Sequence, residues 1–176
     1  AMEKSDGRLA RLGGTPLSPV SYFIGKFGQV FVTGLAQAVL LLLVARFAFG
    51  VELPTEAANW WIFAWVFVLG TAVCALLGVA LAAVPRTGKS AVAVVLPPVL
   101  ILQFISGVYL QFSMLPEWLQ NIASVFPLKW MAQGMRAAFL PDSFAAAEVS
   151  GAWDLGVVSA VLSGWLAIGL VLSLLT

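Results

Sequence analysis

Residues 60–84 read WWIFAWVFVLGTAVCALLGVALAAV and contain no charged residue. Twelve of these 25 residues are Ile, Leu, Val or Phe, and together they favour insertion into a bilayer by roughly 4–7 kcal/mol. A helix needs about 20 apolar residues to cross the hydrocarbon core of a membrane. This stretch therefore predicts a transmembrane helix.

Three other apolar runs are about as long, and they cover residues 27–49, 91–111 and 155–175. The middle one contains Pro97 and Pro98, which remove two backbone donors and predict a kink. The sequence therefore predicts an all-α fold, a polytopic membrane helix bundle. Its four transmembrane helices are expected at 27–49, 60–84, 91–111 and 155–175.

The composition excludes several classes of protein. Hydrophobic residues make up 61% of the chain and charged residues 10%, whereas a soluble domain carries about 25% charge. The chain has no histidine and one cysteine, Cys74, so histidine-based catalysis is excluded and no internal disulfide can form. A net charge of +1 does not favour nucleic acid as a partner. We expect no enzymatic activity, no catalytic residues, no metal site and a lipid bilayer as the surroundings.

Loop charges predict the orientation, because cytoplasmic loops carry an excess of Lys and Arg. One side has six basic and two acidic residues: Lys4, Arg8, Arg11, Lys26, Arg86 and Lys89 against Glu3 and Asp6. The other side has three basic and six acidic residues: Arg46, Lys129 and Arg136 against Glu52, Glu56, Glu117, Asp142, Glu148 and Asp154. The first side, with the N-terminus, is therefore predicted to be cytoplasmic.

Residues 115–140, between the third and fourth runs, show two short amphipathic patterns. The first apolar stripe consists of Leu115, Trp118, Leu119 and Ile122. The second begins after Pro127, has Leu128, Met131, Met135 and Phe139 on one face, and has Lys129, Gln133 and Arg136 on the other. Helices this short cannot span, so we expect them to lie on or dip into the outer leaflet. Lys129 and Arg136 are expected either to contact an anionic headgroup or substrate, or to face water.

Polar residues recur every four positions on the first predicted span, at Gln29, Thr33 and Gln37. Polar groups within a membrane rarely face lipid. They either line a substrate path or form hydrogen bonds between helices, and the sequence leaves both readings open.

Two stretches carry a resemblance to a known family. The first is EKSDGRLARLGGTPLS over residues 3–18, followed by Gly25-Lys26. The second comprises Ser106-Gly107, LPEWL over residues 115–119, FPL over residues 126–128, and Arg136. In order and spacing they resemble the ABC-2 type transporter permeases, which are the membrane subunits of ABC exporters. The resemblance runs from the family's cytoplasmic coupling segment to its last span.

The resemblance implies a permease of the bacterial cell membrane that exports a drug, a lipid or another amphipathic substrate. Such a permease forms half of a homo- or heterodimeric translocation path. A separate ABC ATPase subunit binds the ATP, so no cofactor is expected on this chain. Family members usually have six spans, and the match is to the third to sixth, so two upstream spans are expected in the whole protein. The alternatives are a polysaccharide or lipid-linked glycan exporter and a membrane scaffold that transports nothing.

The same resemblance implies a division into a cytoplasmic coupling segment, residues 1–21, and a transmembrane domain, residues 22–176. The alternative for the first segment is a basic juxtamembrane segment that only sets topology. The residues implied in the ATPase-subunit interface are Glu3, Gly7, Arg8, Leu9, Arg11, Leu12, Thr15 and Pro16. Those that mark the outer re-entrant element are Pro116, Trp118, Pro127 and Arg136.

Overall fold

The computed structural model describes the backbone of residues 19–82 and 88–175, and side chains within residues 24–25, 27–81 and 92–173. These residues form helices and no strands, which confirms the all-α prediction. The α-helices are α1 (Pro19–Phe49), α2 (Ala57–Ala82), α3 (Gly88–Ile105), α4 (Glu117–Val125), α5 (Pro127–Phe139) and α6 (Leu155–Leu175). Two short 3-10 turns cover Phe112–Met114 and Asp142–Ala147.

Among the described residues, three helices are long and apolar enough to cross a membrane. Their apolar portions are Phe27–Phe49 in α1, Ala57–Leu81 in α2 and Leu155–Ser173 in α6. At about 1.5 Å per residue each reaches or approaches the 30 Å of the hydrocarbon core. They overlap three of the four predicted spans.

The third predicted span, 91–111, is only partly helical. The helix α3 ends at Ile105, and its described apolar part is Val92–Ile105. Gly107 follows with φ +77°, a left-handed conformation that commonly ends a helix and that glycine adopts without steric penalty. The predicted continuation to Gln111 is therefore wrong, and residues 106–111 form a turn instead.

The packed centre of the chain consists of α2, α5 and α6. Val66 and Val73 of α2 and Val158 and Leu162 of α6 are fully buried there. The helix α1 packs mainly against α2, where the Phe31 and Phe67 rings lie 5.6 Å apart. The short helix α5 therefore lies inside the bundle and not beside it.

Glycine permits the close approach of α5 to α2. A Cβ added at Gly134 of α5 would lie 2.8 Å from Val66 Cγ2 and 3.3 Å from Val158 Cγ1. Real Cβ atoms essentially never show contacts under 3.0 Å, so a larger side chain at this position requires its neighbours to shift.

The chain direction between α4 and α5 is fixed by Pro127. Phe126, the residue before it, is extended with φ −87° and ψ 146°, as a following proline requires. Pro127 then starts α5 at its first position, where the missing N–H has no consequence. Two indole groups hold α4 in place: Trp130 donates to Ser124 O at 2.7 Å, and Trp165 of α6 donates to Val125 O at 2.7 Å.

Candidate functional site

The polar side chains of α5 point into the protein. Gln133 is 1% exposed and Lys129 is 6% exposed, so the expectation that Lys129 faces water is wrong. Gln133 and Arg136 find partners in residues 148–153, which precede α6 and which the local helical pattern could not include. We call Lys129, Gln133, Arg136 and Glu148 the α5 polar cluster.

Lys129 is a buried cation that has no carboxylate within ion-pair distance among the described residues. Its Nζ donates to Gln133 Oε1 at 2.5 Å and lies 3.5 Å from the Trp130 ring centroid and 5.1 Å from that of Phe112. Aromatic faces attract a cation. Burial nevertheless dominates and lowers the pKa of Lys129 to about 8, although Glu148 acts in the opposite direction.

Gln133 joins α5 to the start of α6. Its Nε2 donates to Trp153 O at 2.8 Å and to Ala152 O at 3.4 Å, while its Oε1 accepts from Lys129. One fully buried amide therefore satisfies a buried lysine and fixes the backbone that enters α6.

Arg136 connects three parts of the chain. Its Nε donates to Glu148 Oε1 at 2.7 Å, and its Nη1 donates to Gly107 O at 2.9 Å. The side chains of Arg136 and Glu148 are 25% and 6% exposed, so this ion pair is partly shielded from solvent. The third nitrogen, Nη2, is buried and has no hydrogen-bond partner among the described residues.

A pocket of about 350 Å³ opens beside this ion pair. The turn 107–112 after α3 forms one wall, and Leu140 and Phe144 form another. Arg136 and Glu148 also line it. The pocket thus combines apolar and aromatic walls with one ion pair.

The three polar residues predicted on the first span lie on one exposed face of α1. Gln29, Thr33 and Gln37 are all exposed, and the Thr33 hydroxyl donates to the Gln29 carbonyl within the same helix. No hydrogen bond in the described part of the chain connects them to another helix. Both predicted roles, a substrate path and contacts to a further helix, therefore stay predictions.

The residues predicted to mark the outer element occupy different positions. Pro116 immediately precedes α4, and Trp118 on α4 is 64% exposed. Pro127 is buried at the start of α5, and Arg136 belongs to the α5 polar cluster. The predicted ATPase-interface residues lie outside the described residues: Glu3, Gly7, Arg8, Leu9, Arg11, Leu12, Thr15 and Pro16.

Sequence reasoning missed the contacts that Glu148 and Gly107 make with Arg136, although Gly107 and Arg136 belong to the same family-like stretch. Glu148 follows Arg136 by 12 residues and Gly107 precedes it by 29, and neither spacing belongs to a helical repeat. Glu148 entered the prediction only as one of several outer charges. Among the described residues, no group of three His, Cys, Asp or Glu could hold a metal ion.

The lowered pKa of Lys129 predicts how stability depends on pH. Between about pH 8 and the ordinary lysine pKa of 10.5, the unfolded chain holds a proton that the folded chain has lost, so stability rises with pH there. We expect the melting temperature in detergent to rise by roughly 5 °C more in the wild type than in Lys129→Met across this range. Arg46→Met, at an exposed arginine outside the cluster, should keep the wild-type slope. Equal slopes for the wild type and Lys129→Met would contradict the prediction.

Comparison with known proteins shows what the chain is similar to. The model of the family described as "ABC-2 family transporter protein" matches residues 1–175. The protein called "Probable multidrug ABC transporter permease YbhR" from Escherichia coli strain K12 is 24% identical over 160 residues, and so is its counterpart of the same name from Escherichia coli O157:H7. These alignments cover 91% of this chain but 43% of each relative, so the chain spans less than half of their length. No solved structure gives a significant match.

Proposed function

Because the chain belongs to the ABC-2 family of transporter proteins, we propose that it is a permease subunit that forms half of a dimeric export path. The family match over residues 1–175 carries this proposal, and the three membrane-capable helices make it a multi-pass membrane protein. Transporter permeases are not enzymes. In this proposal, ATP hydrolysis on a separate ABC ATPase subunit supplies the energy for export.

Coupling to that ATPase is assigned to residues 1–21. In this proposal Leu9 and Leu12 are buried in the ATPase subunit, while Arg8 and Arg11 pair with acidic groups on it. Closure of two ATPase subunits around ATP would then shift the segment and switch the dimer between inward- and outward-facing states. The excess of Lys and Arg on this side supports a cytoplasmic N-terminus in the cell membrane.

The substrate is proposed to be a drug, a lipid or another amphipathic molecule. The relatives named as probable multidrug permeases support a drug. The exposed row of Gln29, Thr33 and Gln37 supports a path along α1, because polar groups within a span avoid lipid. The membrane helices are otherwise almost entirely apolar, which suits a substrate with a large apolar part better than a glycan.

Retention of the ATPase subunit tests the proposed coupling. The full-length protein carrying Leu9→Asp plus Leu12→Asp, co-expressed with its ATPase subunit, should retain less than about a tenth of the wild-type amount on affinity purification, because two charges replace two buried apolar contacts. The control Ser143→Asp plus Ala146→Asp adds the same charge at exposed positions after α5 and should leave retention unchanged. If the Leu9 and Leu12 variant retains as much ATPase subunit as the wild type, the N-terminal segment only sets topology. If the wild type itself retains no ATPase subunit, the result favours a membrane scaffold over a transporter.

A further inference from the structure

We propose that the pocket beside Arg136 and Glu148 is a binding site for an amphipathic acid. The acidic head, a phosphate or a carboxylate, would accept hydrogen bonds from Arg136, and its apolar tail would lie along the aromatic wall. The site goes beyond the proposed export function, because binding there requires neither the ATPase subunit nor the dimer.

The dimensions and walls of the pocket fit a small amphipathic ligand. Its volume of about 350 Å³ lies within the range of small-molecule sites, which combine mostly apolar walls with a few placed polar groups. Tyr109, Leu110 and Phe144 line it and are between 51% and 61% exposed. An apolar tail would therefore cover the exposed parts of three large side chains.

Arg136 supplies the reason for an acidic head. A buried donor on a charged group is costly when it has no acceptor, and Nη2 of Arg136 is such a donor. The other two nitrogens of Arg136 already have acceptors: Nε donates to Glu148, and Nη1 donates to the Gly107 carbonyl. Nη2 is closed off from solvent in the ligand-free chain, so a turn of the guanidinium toward the pocket would bring it to an oxygen atom of the ligand and give it the acceptor that it lacks.

Gly107 places no side chain against the guanidinium of Arg136. A Cβ at Gly107 would lie 3.5 Å from Arg136 Nη1 and 3.7 Å from Nη2, in ordinary contact with them. It would also lie 3.0 Å from Phe112 Cβ, and Gly107 has a positive φ of 77°, so a larger residue is disfavoured there for both reasons. The turn after α3 therefore provides a carbonyl acceptor to Arg136 and keeps its own backbone close to the same side chain.

Arg136 is the one cation among the described residues that line the pocket. Glu148 accepts from its Nε and also acts on the buried Lys129, as Asp154 does. The preference for an acidic head therefore rests on the guanidinium of Arg136 in the pocket wall.

Photo-crosslinking of the purified full-length protein tests the site. The probe is an alkyl phosphate of about twelve carbons with a diazirine in its tail, in neutral detergent. We expect saturable labelling of residues 107–112 or 140–153, mapped by mass spectrometry, and competition by dodecyl phosphate. Competition by inorganic phosphate as strong as that by dodecyl phosphate would overturn the proposal, because the apolar tail would then contribute nothing, and its failure to compete would support an amphipathic ligand. Equal competition by dodecyltrimethylammonium would overturn the proposal.

Three variants complete the test. Arg136→Gln removes the donors and should weaken binding about tenfold, whereas Arg46→Gln should not change it. Phe144→Ala removes an exposed wall residue without touching the ion pair, so it should fold normally and still bind the probe more weakly. Unchanged labelling in Phe144→Ala, or no saturable labelling of the wild type, would overturn the proposal even if Arg136→Gln failed to fold. The ATPase subunit is absent from this experiment, so its outcome is separate from that of the export proposal.

Discussion

Glu148→Gln should lower the free energy of unfolding by about 3 kcal/mol, because removal of one partner leaves a buried charge uncompensated. The lost partner is the carboxylate that accepts from Arg136 Nε at 2.7 Å, and its side chain is 6% exposed. Glutamine has nearly the same shape, so the loss reports charge and hydrogen bonding and not a cavity. The measurement is unfolding of the purified protein in mixed micelles with increasing denaturing detergent.

The control for this variant is Glu117→Gln on α4, which removes an exposed carboxylate of the same kind. We expect a change within about 0.5 kcal/mol for it. The double variant Arg136→Met plus Glu148→Leu removes both charges together and should be more stable than Glu148→Gln. Equal stability of the Glu148 and Glu117 variants would mean that the ion pair contributes nothing measurable.

Gly134→Ala should destabilise the chain by about 2 kcal/mol, since a methyl group inserted into a filled core forces its neighbours to move. The added Cβ would lie 2.8 Å from Val66 Cγ2, and Val66 is fully buried on α2. Alanine is the better helix former of the two residues, so any loss of stability must come from this contact. The same unfolding measurement in mixed micelles applies.

Two further variants distinguish a steric effect from a general one at Gly134. Gly164→Ala on α6 places the same methyl group where no atom lies within 4 Å, so it should not destabilise. Val66→Ala should partly rescue Gly134→Ala, because it removes the methyl groups that the new Cβ meets. Destabilisation that persists unchanged in the double variant would argue against the steric explanation.

The apolar helices could be predicted from the sequence because their signal is local and long. Every residue of an uncharged run such as 60–84 contributes to the same conclusion, and the structure contains α2 there. The end of α3 was harder to place, since apolar residues resume at 108–110 after Ser106 and Gly107. There a single backbone conformation at Gly107 overrides the hydropathy of its neighbours.

The candidate site was only half predictable. The periodicity of residues 128–139 correctly places Lys129, Gln133 and Arg136 on one face of a short helix. It does not indicate whether that face contacts water or protein, because the answer depends on Glu148 and Trp153, which are 12 and 20 residues from the side chains that they contact. Polar residues on a short helix between two spans therefore need tertiary information before they can be assigned to the surface.

The hydrogen-bond acceptors of α5 are synthesised after the helix itself, and this order affects when α5 can join the bundle. Glu148, Ala152 and Trp153, which accept hydrogen bonds from Arg136 and Gln133, all emerge from the ribosome after α5 is complete. Until these acceptors emerge, packing of α5 between apolar helices would leave the side-chain donors of Gln133 and Arg136 without them. Biogenesis of this region should therefore delay the docking of α5 until residues 148–153, which immediately precede α6, have emerged.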